Sequence, residues 1–178
     1  MLALINDLLD LAKLESGKAT YDFAPTDLRM LAISAADEQS SRAEEKGVKL
    51  LVPKCPLDTR IVGDQMKLLQ VFRNLLDNAI KFSPPGSVVK VLFQRKGDRI
   101  EAAVCDQGVG IPEEELEAIF DKFIQSSKTR TSAGGTGLGL AICREIITAH
   151  RGRIWAENRP EGGAVIRFEI PTDPRTDH

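Results

Sequence analysis

One helix constrains this chain more than any other segment. Residues 64 to 82 read as an amphipathic helix, opened by Asp64, which can cap free N–H groups, and closed abruptly by Ser83-Pro-Pro-Gly86. At 100° per residue, Asn74, Asn78 and Lys81 fall within a strip of about 60°, while Leu68, Phe72, Leu75, Leu76 and Ala79 cluster on the other side. One face must pack on a core and the other can bind. For the polar strip by itself, the plain alternative is an ordinary solvated face.

The next signal is a hairpin. Val88 to Gln94 and Arg99 to Asp106 are alternating runs separated by the turn Lys96-Gly97-Asp98. Ile100, Ala102, Val104 and Asp106 share one face, so Asp106 ends a buried row, where an isolated carboxylate is costly unless it gains donors. The exocyclic amino group of adenine is such a donor. Gly108 and Gly110 follow, and without side chains their backbone can approach a flat ring. An Asp-x-Gly turn with no ligand is the competing explanation.

Further on, Gly134-Gly135-Thr136-Gly137-Leu138-Gly139 precedes the apolar start of a helix predicted over 136–149, an arrangement that aims backbone N–H groups and the helix dipole at an anion. A bare turn would look the same. The run fits neither the phosphate loop with its Gly-Lys-Ser/Thr ending nor the dinucleotide fingerprint. Between the two glycine clusters, residues 112 to 133 are acidic at first and then small and polar, which suggests a lid with Phe120 and Phe123 at its base. Lys128 and Arg130 are its candidate phosphate contacts. An amide oxygen such as that of Asn78 is a suitable ligand for Mg²⁺, and Lys81 one turn on can meet phosphates as a point charge. A metal-binding amide, a purine-reading carboxylate and a phosphate-cradling glycine run, in this order, point to ATP.

The remaining segments supply the frame. Met1, Leu4, Ile5, Leu8, Leu11 and Ala12 recur at helical steps, giving a helix that is either the tail of a longer coiled coil or packed on its own domain. Ser16-Gly17-Lys18 breaks it, and Phe23-Ala-Pro25 reads as an extended connection. Asp27 caps a second helix expected to run unbroken to Gly47, and short strands are expected at 48–52 and 59–62, with two more near 153–157 and 164–170. The expected class is α+β: a two-layer α/β sandwich with a mixed sheet covered by helices on one face, plus the N-terminal helix.

Bulk properties exclude several classes. A net charge of -2 gives no basic footprint for a nucleic-acid backbone. Cys55, Cys105 and Cys143 are scattered singly, without zinc spacing or an even disulfide count. No apolar run reaches the eighteen or so residues of a membrane span, and no signal peptide is evident, so the chain is expected to be cytoplasmic and to make no membrane contact.

Asn74 to Phe82, Asp106-Gln-Gly-Val-Gly110, Phe120-Asp-Lys-Phe123 and Gly135-Thr-Gly-Leu-Gly139 together resemble the catalytic ATP-binding domain of sensor histidine kinases, within the Bergerat-fold family that also includes gyrase and MutL. The resemblance covers about residues 25 to 171. It implies ATP and Mg²⁺ as cofactors. Asn78 would hold the metal and act with Lys81 in catalysis, and Asn74, Phe82, Asp106, Gly108, Gly110 and Ile111 would surround the nucleotide. Gly135, Thr136, Gly137, Leu138 and Gly139 would line the phosphate side under a lid carrying Lys128 and Arg130. Phe82 stands where these kinases often have tyrosine. In hydrolysing relatives a glutamate base is expected where this chain has Asn74, and an amide cannot take the water's proton, so transfer to a protein is favoured over hydrolysis.

The stretch from Leu4 to Gly17 also resembles the end of the second dimerisation helix of such kinases. The implied division is 1–16 for that helix, 17–26 for a linker, 27–171 for the catalytic domain and 172–178 for a tail. Of the two histidines, His150 matches a structural position of the family and His178 lies in the tail. Neither has the phosphoacceptor context, so the chain reads as a kinase fragment or truncated relative. Its expected partners are the histidine-bearing dimerisation domain of a homodimeric parent and a response regulator, with the fragment itself mostly monomeric. Two other functions fit the residues less well: a protein-serine kinase of the anti-sigma type, and a docking module that binds ATP without transferring phosphate.

Overall fold

The computed structural model describes residues 2–127 and 137–175. Helix α1 (Leu2–Glu15) is followed by strand β1 (Phe23–Asp27), helices α2 (Leu28–Glu38) and α3 (Ser40–Lys46), and strands β2 (Lys49–Leu51) and β3 (Arg60–Asp64). Then come α4 (Gln65–Phe82), the hairpin β4 (Val88–Lys96) and β5 (Arg99–Cys105), two short 3₁₀ turns, α5 (Gly139–Ala149), and strands β6 (Arg153–Asn158) and β7 (Ala164–Pro171).

Five strands form a mixed sheet in the order β2-β4-β5-β7-β6, in which β2 pairs parallel to β4 and the other pairs are antiparallel. Alternation decides which face is covered. Val89 and Val91 of β4, Ile100, Ala102 and Val104 of β5, and Ile166, Phe168 and Ile170 of β7 all enter the core, where they meet Leu68, Phe72, Leu75 and Leu76 of α4 and Ile142, Ile146 and Ile147 of α5. The opposite face carries Lys90, Leu92 and Gln94 to solvent. On that face Glu101 is nevertheless buried, because Arg167 (2.9 Å) and Lys96 (2.5 Å) fold over it.

The stretch read from sequence as an extended connection is strand β1, which pairs antiparallel with β3 from Phe23 opposite Asp64 to Asp27 opposite Arg60. A Val62 N–H to Thr172 C=O bond of 2.7 Å joins this ribbon to the end of β7. The second helix is not continuous either. Gln39 leaves helical geometry (φ -102°, ψ 4°) and donates from Nε2 to the Arg73 carbonyl at 2.9 Å. The break turns α3 so that Lys46 Nζ reaches the last carbonyls of α4, those of Ile80 (2.6 Å) and Lys81. Gly47 does end the second of these helices in a left-handed conformation, as expected.

Helix α1 lies against α5 and buries Leu11 and Leu14, with Asp10 accepting from Gln70 (3.3 Å) and Glu15 pairing with Lys122 (2.6 Å). Its first turns keep Leu4, Ile5, Leu8 and Leu9 exposed. Among the described residues no helix is long and apolar enough to cross a membrane. The three cysteines are free thiols, and burial pushes that of Cys143 up to about 12, which leaves it protonated at neutral pH.

His150 ties three elements together. It is fully buried: Nδ1 lies 2.8 Å from the Ile146 carbonyl, Nε2 accepts the Asp64 N–H at 3.0 Å, and Tyr21 and Phe23 pack edge-on against the ring. The accepting Nε2 fixes the neutral Nδ1–H tautomer, and both nitrogens are occupied, so the ring is closed to phosphorylation. Burial holds its pKa below the ordinary value, against smaller opposing effects of the Ile146 bond and Asp64. Between the depressed folded pKa and the unfolded value of about 6.5 the unfolded chain binds more protons, so stability falls as pH drops through that window. Urea titrations at pH 8, 6 and 5 should show that acid loss in the parent chain. His150→Gln should be destabilised at pH 8 yet show a flatter decline below about 6.5.

Candidate functional site

The half-buried polar strip of α4, the end of β5 and the start of α5 meet around a cavity of about 290 Å³. From α4 it is lined by Asn74, Asp77, Asn78, Lys81 and Phe82, from the β5 end by Asp106, Gly110 and Ile111, and across from them by Gly137 and Gly139. Helix α4 presents these groups because its other side is fixed: Leu68, Phe72 and Leu75 are completely buried, and Asp64 caps it by accepting the Lys67 N–H at 3.0 Å. Asp64 also accepts the Asp22 N–H at 2.9 Å, so the cap anchors the approach to β1 as well.

Asp106 is built in on one side and open on the other. Its Oδ1 accepts the N–H groups of Gly108 (2.9 Å) and Ala164 (3.1 Å), and its carbonyl accepts Arg159 Nη1 at 2.7 Å. Both backbone donors share Oδ1, which leaves the acceptor capacity of Oδ2 for a ligand. Burial raises the carboxyl pKa above its ordinary value, although these N–H groups and Arg159 pull the other way. A carboxylate so desolvated gains more from one added donor than an exposed one does.

Two predicted site residues face elsewhere. Gly108 does not line the cavity: a Cβ there would lie 2.4 Å from the Phe82 carbonyl oxygen, so the glycine lets the β5 loop lie directly on the end of α4. Leu138 is fully buried in the core as the cap residue of α5. Gly137 lines the cavity and closes the neck of the intervening segment, its carbonyl accepting the Phe123 N–H at 2.9 Å. Of the two phenylalanines expected at the lid base, Phe120 is buried, but Phe123 is exposed with φ 62° and contributes its backbone. Lys128, Arg130, Gly135 and Thr136 lie outside the described residues.

Asn74 donates from Nδ2 to the Gly139 carbonyl (3.2 Å), joining α4 to the first turn of α5. Lys81 is paired with Asp77 at 3.4 Å, and Asp77 also engages Arg42 of α3. The sequence reading passed over Asp77, although it lies one turn before Lys81 beside the same strip. It also passed over Asp7 of α1, which reaches the cavity wall, and no local pattern marks a residue brought there by tertiary packing. Among the described residues no group of three or more His, Cys, Asp or Glu side chains could hold a metal. An ion here would take one amide oxygen from Asn78 and its other ligands from phosphates and water, as Mg²⁺ does.

Residues 63–174 match the family described as histidine kinase-, DNA gyrase B- and HSP90-like ATPase. The chain belongs to that family, as a sensor histidine kinase ATP-binding catalytic domain. It is 39% identical over 172 residues to the phytochrome-like protein Cph1 of Synechocystis sp., covering 96% of this chain and 22% of that relative, and it spans only a fraction of the length of the curated relatives it matches. Among solved structures, the isolated catalytic domain of histidine kinase ThkA superposes with a TM-score of 0.76 at 33% identity, over 86% of this chain and 97% of that one. Full-length ShkA in complex with AMPPNP gives 0.84 at 31%, over 96% and 35%. ThkA in complex with response regulator protein TrrA gives 0.78 at 29%, over 97% and 49%.

Gly108→Ala tests the junction of α4 with the β5 loop. Forcing a methyl group against the Phe82 carbonyl should cost about 1–3 kcal/mol in urea denaturation. A change below about 0.5 kcal/mol would show that the contact is not constraining.

Proposed function

We propose that the chain is the ATP-binding catalytic part of a sensor histidine kinase that transfers the γ-phosphate of ATP to a histidine on a dimerisation domain. The observation that carries this reading is the convergence, on one cavity, of a desolvated carboxylate with spare acceptor capacity, a helix face offering an amide and a lysine, and the N-terminus of α5. Asp106 takes the adenine amino group through Oδ2. Gly110 and Ile111 lie along the base beside Phe82, which offers a face without a hydroxyl. The phosphates extend toward Lys81 and the N-H groups of α5. Mg²⁺, held by Asn78, would neutralise charge on the phosphates during transfer. Asn74 has no basic atom to activate water, so it favours a protein acceptor over hydrolysis.

Lys128, Arg130, Gly135 and Thr136 belong to the same proposal as phosphate-side contacts, and Asp77 holds Lys81 in place. Residues 1–16 are assigned to the end of a dimerisation helix and 27–171 to the catalytic domain. Helix α1 supports the first assignment, since Leu4, Ile5, Leu8 and Leu9 form an exposed apolar stripe suited to a partner helix. The acceptor lies on that partner, because His150 is buried with both nitrogens engaged. The response regulator joins the proposal through the ThkA complex, with cytoplasmic placement.

Incubation with labelled ATP, Mg²⁺ and a supplied histidine-bearing dimerisation domain should yield acid-labile phosphate on that domain, about a hundredfold more slowly with Asn78→Ala. Acid-stable label would indicate a hydroxyl acceptor, and its absence from every supplied domain would contradict transfer.

A further inference from the structure

The turn between β6 and β7 reaches across to the base-binding loop. Asn158, the last residue of β6, uses both ends of its amide on a single residue of that loop: Oδ1 accepts the Ile111 N–H at 2.8 Å, and Nδ2 donates to the Ile111 carbonyl at 2.6 Å. This pairing copies the exchange between strands, with a side chain in place of the second strand. Ile111 and its neighbour Gly110 both line the cavity. Gly110 has φ 76°, and a Cβ on it would lie 2.9 Å from Asn158 Oδ1, so the glycine and the amide are fitted to one another.

Asn158 does not act alone. Next to it, Arg159 donates to the Asp106 carbonyl and is held by Glu161 at 2.6 Å. Gly163 approaches so closely that a Cβ would meet the Asp106 carbonyl, and Ala164 supplies an N–H to the Asp106 carboxylate. The other side of the loop is pinned where the Gln107 side chain accepts the Val88 N–H at 2.8 Å. The stretch from Asp106 to Ile111 is therefore held from outside at several points, and the Asn158 amide is the one that fixes its far end.

We infer that Asn158 is a positioning residue for purine recognition: it sets the Gly110-Ile111 backbone so that the base is clamped with its amino group on Asp106. The inference rests on the adenine reading of Asp106 given above. Asn158 is exposed and outside the hydrophobic core, so its removal should spare the fold and act on the loop. Its two bonds bridge nothing on the phosphate side, so their loss should separate base recognition from phosphate binding.

The test is calorimetric titration of the chain as it stands with Mg²⁺-ATP, Mg²⁺-GTP and pyrophosphate, beside Asn158→Ala, Asn158→Asp, Gly110→Ala and the double variant Gly110→Ala/Asn158→Ala. Removing both bonds should weaken ATP binding about five- to thirtyfold, leave pyrophosphate binding within about twofold, and narrow the preference for ATP over GTP. Asn158→Asp, which can accept from the Ile111 N–H but not donate to its carbonyl, should fall between parent and alanine. Gly110→Ala should cost less ATP affinity in the Asn158→Ala background than in the parent, because the obstructing oxygen is gone. Equal loss for ATP and pyrophosphate, or unchanged ATP and GTP binding in Asn158→Ala, would overturn the assignment. A parent chain that binds ATP and GTP alike would instead overturn the adenine reading of Asp106, and the inference with it.

Discussion

The structure depends on how α4 is seated. Phe72, Leu75 and Leu76 are buried against the sheet and α5, and each such side chain contributes about 1.5–3 kcal/mol on leaving water. That burial fixes the rotation of the helix. With the apolar side committed, Asn74, Asn78 and Lys81 have one direction left, toward the space between the β5 end and α5. A rotation by one residue, about 100°, would put a carboxamide into the core at a cost the fold could not recover. The same packing that stabilises the domain thus aims the polar strip.

The opposite wall works on a different principle. At the end of β5, Asp106 is desolvated, satisfied on one oxygen by Gly108 and Ala164, and fixed through its carbonyl by Arg159. Its raised pKa is the sign of a group that is partly compensated within the protein. The two backbone donors depend on close approaches that side chains would prevent, at Gly108 against Phe82 and at Gly163 against Asp106 itself, whereas Arg159 reaches in with its guanidinium. The two walls meet through Gly108, so helix rotation and loop position form one constraint. The Phe123 N–H bonds the Gly137 carbonyl at the edge of this frame, and α1 brings Asp7 to the same rim.

Much of this was legible in the sequence because it is local or periodic. The polar strip of α4 follows from helical geometry, and the buried row ending at Asp106 follows from two-residue alternation. What escaped notice depends on distant partners. Gln39 breaks a helix through a bond to Arg73, and the Phe23-Ala-Pro25 stretch becomes a strand only because β3 lies beside it. Gly108 and Leu138 sit inside recognisable motifs but serve packing, which a motif cannot distinguish from ligand contact. Asn158 lies outside every motif, and only the approach of the β6–β7 turn to Ile111 reveals it.

The most direct test of the account is a crystal structure of this chain with Mg²⁺ and a non-hydrolysable ATP analogue. The adenine amino nitrogen should lie within hydrogen-bonding distance, about 2.7–3.2 Å, of Asp106 Oδ2, with Mg²⁺ bound by the Asn78 amide oxygen. A base bound elsewhere with Asp106 unengaged, or a metal that bypasses Asn78, would contradict the central claim that these two walls form one ATP site.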